Sequence, residues 1–151
     1  MLLQYLLRAC ILLIFASSFQ LMSQDLSQYR WENRLILVVT SSEGSRMLRK
    51  QLQLLDEDIV GLKERKLLLI HVSEPESKIL LPEPKSIAFS QAILKRFKSS
   101  DEPFTFLLIG LDGGVKLRRN EAVSREYLYA LIDGMPMRRA EMKEKKKNSQ
   151  P

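Results

Sequence analysis

The chain has 151 residues, 45% of them apolar and 28% charged, with a formal net charge of +6. That is enough for one domain around one core, too little for two ordinary domains, and too apolar for a chain disordered throughout. A single cysteine excludes an internal disulfide, a Cys-x-x-Cys redox pair and a cysteine-based zinc site.

Residues 1–22 carry one charge, Arg8, followed by the apolar run Ala9 to Ala16 and the small residues Ser17 and Ser18. A basic residue, a short apolar core and a small-residue end are the layout of a secretory signal peptide. Cleavage is expected after Ser18, so residues 1–18 are read as a signal and the mature chain as secreted or periplasmic. The alternative is an uncleaved membrane anchor over residues 1–22. A spanning helix needs roughly 20 apolar residues, and Gln4, Arg8 and Gln20 interrupt this one. Arg8, two places before Cys10, rules out a lipoprotein site there. Removal of the signal takes Cys10 with it and leaves no thiol.

Leu35 to Val39 is an uninterrupted apolar run of strand length, as suits a strand covered on both faces. A polar turn follows, in which Ser42 or Ser45 can cap a helix. Leu48, Leu52, Leu55, Ile59 and Leu62 then form one helical stripe, which Gly61 and the acids Asp56 to Asp58 break into a helix and a turn. Leu67 to Val72 is a second buried strand, joined to the first by a right-handed crossover. Ser73 to Lys85 contains three prolines and is expected to be a loop. Ser86 is placed to cap a helix bearing Phe89, Ile93, Leu94 and Phe97.

Thr105 to Ile109 is the third strand. Leu111-Asp112-Gly113-Gly114 is a hairpin signal, because Asp-Gly and Gly-Gly accept positive φ. Val115 to Arg118 is the fourth strand, alternating as an exposed edge should. Ser124 caps the next helix, with Val123 and Leu128 as its hydrophobic staple and Leu131 and Ile132 also facing the core. Gly134 ends that helix and Pro136 opens a short last one. Residues 134–151 hold six basic against two acidic residues, a net of +4, so the basic balance is mostly a property of this end. Residues 143–151 are expected to be a disordered, solvated basic tail. It offers weak attraction to anionic surfaces, but no interleaved aromatics for stacking on single-stranded nucleic acid.

The element order is β-α-β-α-β-β-α. Two parallel strands followed by an antiparallel hairpin match an α/β thioredoxin-like fold: a four-stranded mixed sheet in the order 2-1-3-4, with helices on both faces. Another small α/β sandwich with the same elements is the alternative.

Tyr29-Arg30-Trp31-Glu32-Asn33-Arg34 before the first strand resembles the opening of the family called domain of unknown function 4174. Phe104-Thr105 running into Gly110 to Arg118, with Asp112, Gly113, Gly114 and Lys116, is similar to that family's middle. Leu131 to Met142, with Asp133, Pro136, Arg138 and Arg139, is similar to its end. The likeness covers residues 25–142. It implies a thioredoxin-like, peroxiredoxin-like domain, found in secreted bacterial proteins and in animal sushi-repeat and matrix proteins. It implies no catalytic residues.

Thiol enzymes of this fold place the reactive cysteine after the first strand, where a helix N-terminus lowers its pKa. Here the loop reads Thr40-Ser41-Ser42-Glu43-Gly44-Ser45-Arg46. Serine cannot substitute in peroxide reduction, because its hydroxyl barely ionises and oxygen has no sulfenic acid chemistry. The loop's remaining use is to bind an anion with its backbone and Arg46; the plainer alternative is a helix cap. Pro103 lies close to where the fold carries a cis-proline, but Phe104 intervenes before Thr105, so its isomer stays open. Thr40, Ser41, Ser42, Arg46, Pro103 and Thr105 are therefore the candidate ligand-binding residues.

His71, the only histidine, reads as a hydrogen-bonded structural residue, with no second ligand for a metal. Gly44-Ser45 lacks the Gly-x-Ser-x-Gly frame of a nucleophile elbow, so a serine hydrolase is a weak third reading. Asp112-Gly113-Gly114 is a turn between antiparallel strands, not a phosphate loop. Trp31 is expected to pack under the sheet edge with Arg30 or Arg34 stacked on it; an exposed Trp31 beside an arginine would instead mark a binding hot spot. Asp133, Arg138 and Arg139 are placed to clamp a helix end to the body. The sequence thus points to a secreted, non-catalytic binding or interaction module with a protein or anionic partner, and to no cofactor or metal. The alternative is a peroxiredoxin-like oxidoreductase or antioxidant, which requires Cys10 to be retained.

Overall fold

A computed structural model describes residues 26–41, 44–74, 76–87, 91–98 and 102–149. The expected signal, Cys10, Ser42 and Phe89 lie outside them. A 3-10 turn, Leu26–Tyr29, precedes strand β1, Arg34–Thr40. Helices α1, Arg46–Asp56, and α2, Ile59–Glu64, lead to β2, Leu67–Val72. Strands β3, Ser77–Leu81, and β4, Lys85–Ile87, follow, then helix α3, Gln91–Phe97. Strands β5, Phe104–Ile109, and β6, Val115–Arg119, precede helices α4, Arg125–Asp133, and α5, Pro136–Asn148.

The six strands of the described residues form one mixed sheet in the order β4-β3-β2-β1-β5-β6. Strands β1 and β2 are parallel; the other pairs are antiparallel. All seven residues of β1 are buried, which explains its unbroken apolar run: both faces are covered. On one face Ile36 and Val38 join Leu48, Leu55, Leu62, Leu128 and Ile132. On the other, Leu35, Leu37 and Val39 join Ile93, Leu94 and Phe97. Burying one such Leu or Ile fully is worth about 2–3 kcal/mol.

The central four strands keep the expected 2-1-3-4 order, but the sheet has six strands, not four. The segment 73–85 holds β3 and the start of β4 rather than a loop. Its alternation is one of burial: Ser77, Ile79 and Leu81 are buried and Lys78 and Leu80 half-buried. Ser86 lies in β4 and caps no helix. Ser45 and Ser124 do cap: their hydroxyls accept from the amides of Leu48 at 3.4 Å and Tyr127 at 3.3 Å.

The basic end is helical to Asn148 rather than a disordered tail from residue 143. Ala140, Glu141, Met142 and the lysines are good helix formers, and Lys145 to Lys147 lie where the helix dipole favours cations. Among the described residues no helix is long and apolar enough to cross a membrane.

Candidate functional site

Two ends of the sheet concentrate the singled-out residues. At the C-terminal end of β1, Thr40 is 2% exposed. Its hydroxyl shares a 2.7 Å hydrogen bond with Nε2 of His71, which is buried in β2. Thr105, paired with Val39 across the sheet, donates its hydroxyl to Glu102 Oε2 at 3.4 Å. Glu102 also accepts from Asn120 and lies 3.9 Å from Arg118 Nη2. Both threonine hydroxyls are therefore engaged internally. Ser41 and Arg46 are exposed. Pro103 is exposed and directly precedes β5, because Phe104 belongs to that strand. Among the described residues the cis peptide bond is Leu81–Pro82, and the Glu102–Pro103 bond is trans.

The opposite end gathers the residues that carried the family resemblance. Asp112 organises the β5–β6 hairpin: its Oδ1 accepts from the Gly114 amide at 3.0 Å and its Oδ2 from Lys116 Nζ at 2.6 Å. Those two bonds, the Lys116 bond first, hold its carboxyl below the usual aspartate range. Gly113 takes φ +80, which a side chain would make costly. The Lys116 stem crosses Gly110, where an added Cβ would stand 2.6 Å from Lys116 Cε.

Trp31 docks on this hairpin by its backbone, donating to Leu111 O at 2.7 Å. It is not packed under the sheet edge. Its ring is 56% exposed, its φ is +70, and Arg30 stacks over it at 5.1 Å. Exposure, a left-handed backbone and an adjacent arginine thus meet at this one residue.

Below the hairpin, arginines and acids join α4 and α5 to the sheet. Arg34 reaches Glu141 with both Nη atoms, at 3.3 and 3.2 Å, and the Arg65 carbonyl at 3.0 Å. Arg138 Nε and Arg65 Nε both donate to Asp133 Oδ1 at 3.1 Å. Burial pushes the Asp133 carboxyl up, but the Arg65 and Arg138 hydrogen bonds outweigh it and the net shift is downward. Lys145 holds the Glu64 carboxyl low through a 3.1 Å hydrogen bond. Asp133 and Arg138 thus form a structural clamp, while Arg139 is exposed. Neither Arg65 nor Glu64 belongs to a motif, so nothing local marks them as partners.

On the α3 side of the same hairpin lies a cleft of about 330 Å³, walled by Tyr29, Arg30, Arg96, Phe97, Gly113 and Gly114 among others. Arg96 was not singled out in the sequence, being one cation on a helix of mixed face. Among the described residues no group of three or more His, Cys, Asp or Glu side chains could hold a metal ion.

A 2-Cys peroxiredoxin of Plasmodium vivax, solved in its reduced form, superposes with a TM-score of 0.53 at 12% identity, over 76% of this chain and 72% of that one. A second structure, Trgpx in apo form, gives 0.45 at 21% identity over 72% and 82%, too low a score to carry weight. No curated protein matches the chain significantly. The sheet order and the peroxiredoxin superposition define an α/β domain of thioredoxin-like fold. The chain belongs to the family described as Domain of unknown function (DUF4174), whose model matches residues 25–141.

Proposed function

We propose that this protein is an exported binding module on a thioredoxin-like scaffold, without thiol redox chemistry. The observation that carries the reading is the end of β1. Where a thiol enzyme of this fold would present a thiolate, the chain has Thr40, buried and bonded to His71, then exposed Ser41. The single cysteine, Cys10, falls inside the expected signal at residues 1–18. A hydroxyl in its place has neither the acidity nor the oxidation states for peroxide turnover. Exposed Ser41 and Arg46 are available to a partner, and the exposed Trp31 offers a second contact.

The test combines intact mass with a hydroperoxide assay on protein recovered from the exporting cell. The expected result is loss of residues 1–18 and no peroxide consumption above buffer. Turnover that Cys10→Ser abolishes would overturn the reading and restore the antioxidant alternative. Turnover that survives Cys10→Ser but is lost in Ser42→Ala/Arg46→Ala would also sink it, in favour of catalysis by the loop.

A further inference from the structure

The cleft beside the hairpin contains an arrangement of charge that the fold does not require. Arg30 and Arg96 both line it. Neither side chain makes an ion pair or hydrogen bond among the described residues. Each instead lies over an aromatic ring: Arg30 over Trp31 at 5.1 Å and Arg96 over Phe97 at 5.0 Å. Stacking occupies the flat face of a guanidinium and leaves the N–H donors along its edges available. By contrast, the buried Arg34 directs both Nη atoms, and the buried Arg138 its Nε and Nη1, to carboxylates and carbonyls.

The other walls suit the same chemistry. Asp112 is the acid of the cleft, and its charge is taken up by Lys116 at 2.6 Å. The cleft therefore keeps the positive charge of the two arginines. Tyr29 also lines the cleft, and a tyrosine phenol is a hydrogen-bond donor at neutral pH. Gly113 and Gly114 put backbone, with no side chain in the way, along one wall. At Gly113 the Arg30 stem lies within contact distance, 3.7 Å from where a Cβ would stand.

We propose that this cleft binds a tetrahedral oxyanion, the phosphate or sulfate group of a small molecule. A carboxylate can serve two arginines where they converge on it, as Asp133 does, but a phosphate or sulfate group carries more oxygens and can carry more charge, so it meets two guanidinium edges arriving from different walls. The volume, about 330 Å³, is at the lower end for a ligand pocket, which fits a small ester rather than a polymer. The proposal deepens the binding reading by giving it a place and a ligand chemistry.

Trp31 is the only tryptophan, so its emission reports on Arg30 directly. Full-length protein is titrated with inorganic phosphate and, separately, inorganic sulfate, at an ionic strength held constant with sodium chloride. Emission and calorimetric heat are followed together. The expected result is a saturable change with either oxyanion and none with sodium acetate. Arg96→Gln weakens binding about tenfold or more, the loss of one charge-assisted contact. The Arg96 side chain is exposed and in no ion pair among the described residues, so its variant should unfold at nearly the same urea concentration as the parent.

A response that acetate or chloride reproduces would overturn the proposal. So would an affinity unchanged in Arg96→Gln. Loss in Arg46→Gln in its place would put the anion at the far end of the sheet and equally refute it. Binding of dextran sulfate without binding of either inorganic ion would reduce the effect to attraction by the lysine-rich helix. None of these outcomes bears on the peroxide assay, so the thiol-free reading stands or falls separately.

Discussion

Arg34, the first residue of β1, and Glu141, in α5, close a two-armed ion pair across 107 positions of sequence. The arginine side chain is 1% exposed and the glutamate 21%. Together with the ion pairs of Arg138, the buried residue of α5, this pair ties the last helix to the body.

Removing one partner of such a pair strands the other. Glu141→Ala is expected to cost about 3 kcal/mol, because the Arg34 charge would remain in the interior without its carboxylate. Urea unfolding measures this as a lowered midpoint at unchanged slope. A stop after residue 145 should leave the midpoint where it is, since Lys146 to Asn148 are exposed and engage no acid among the described residues. A stop after residue 140 should reproduce Glu141→Ala or exceed it.

Acid should weaken the same junction. The carboxyl of Asp133 titrates below its ordinary value of 3.8 in the fold. A depressed folded pKa contributes stability that is complete above the unfolded value and is lost as pH falls through the folded one. Asp133→Asn should therefore flatten the fall in stability below about pH 4. An acid limb equally steep in the variant would assign that limb to other carboxylates.

The alkaline side depends on Tyr129. Burial first, and then the Asp58 charge, push its phenol from 10.0 to about 12, against the opposing pull of Arg65, whose guanidinium lies 3.7 Å from the ring centre. A raised folded pKa gives stability that is full below the unfolded value and declines as pH climbs to the folded one. Thermal unfolding should thus lose ground between pH 10.0 and about 12, and Tyr129→Phe should remove that part of the slope.

Trp31 carries backbone strain that folding does not need. A left-handed conformation costs a bulky residue roughly 1–2 kcal/mol, whereas asparagine adopts it with less penalty. Trp31→Asn should keep the amide bond to Leu111 and raise the urea midpoint rather than lower it. A drop of the size seen for a core truncation would show that the ring is packed after all.

The core strands were legible because β1, β2 and β5 are covered on both faces and read as plain apolar runs. The caps at Ser45 and Ser124 were legible because capping is local chemistry. Strands β3 and β4 were hidden by Pro82 and Pro84, which punctuate a short alternation of Ser77, Ile79 and Leu81 and make it look like a loop. The exposure of Trp31 was hidden because nothing in Tyr29-Arg30-Trp31 announces a positive φ; no glycine stands there. At the candidate sites, the turn made by Asp112, Gly113 and Gly114 was visible, but Arg96 was not. It meets Arg30 in one cleft only because β1 and α3 pack together, and a pairing made by tertiary packing leaves no mark on local sequence. The same holds for Arg34 and Glu141.

Strand β6 forms one rim of the sheet, with Lys116, Arg118 and Arg119 along it and only Leu117 turned inward. Were two copies to meet rim to rim, cations would oppose cations at several rungs. That fringe of like charge discourages the sheet from growing into a fibre through this side, even though the backbone there has hydrogen bonds to offer.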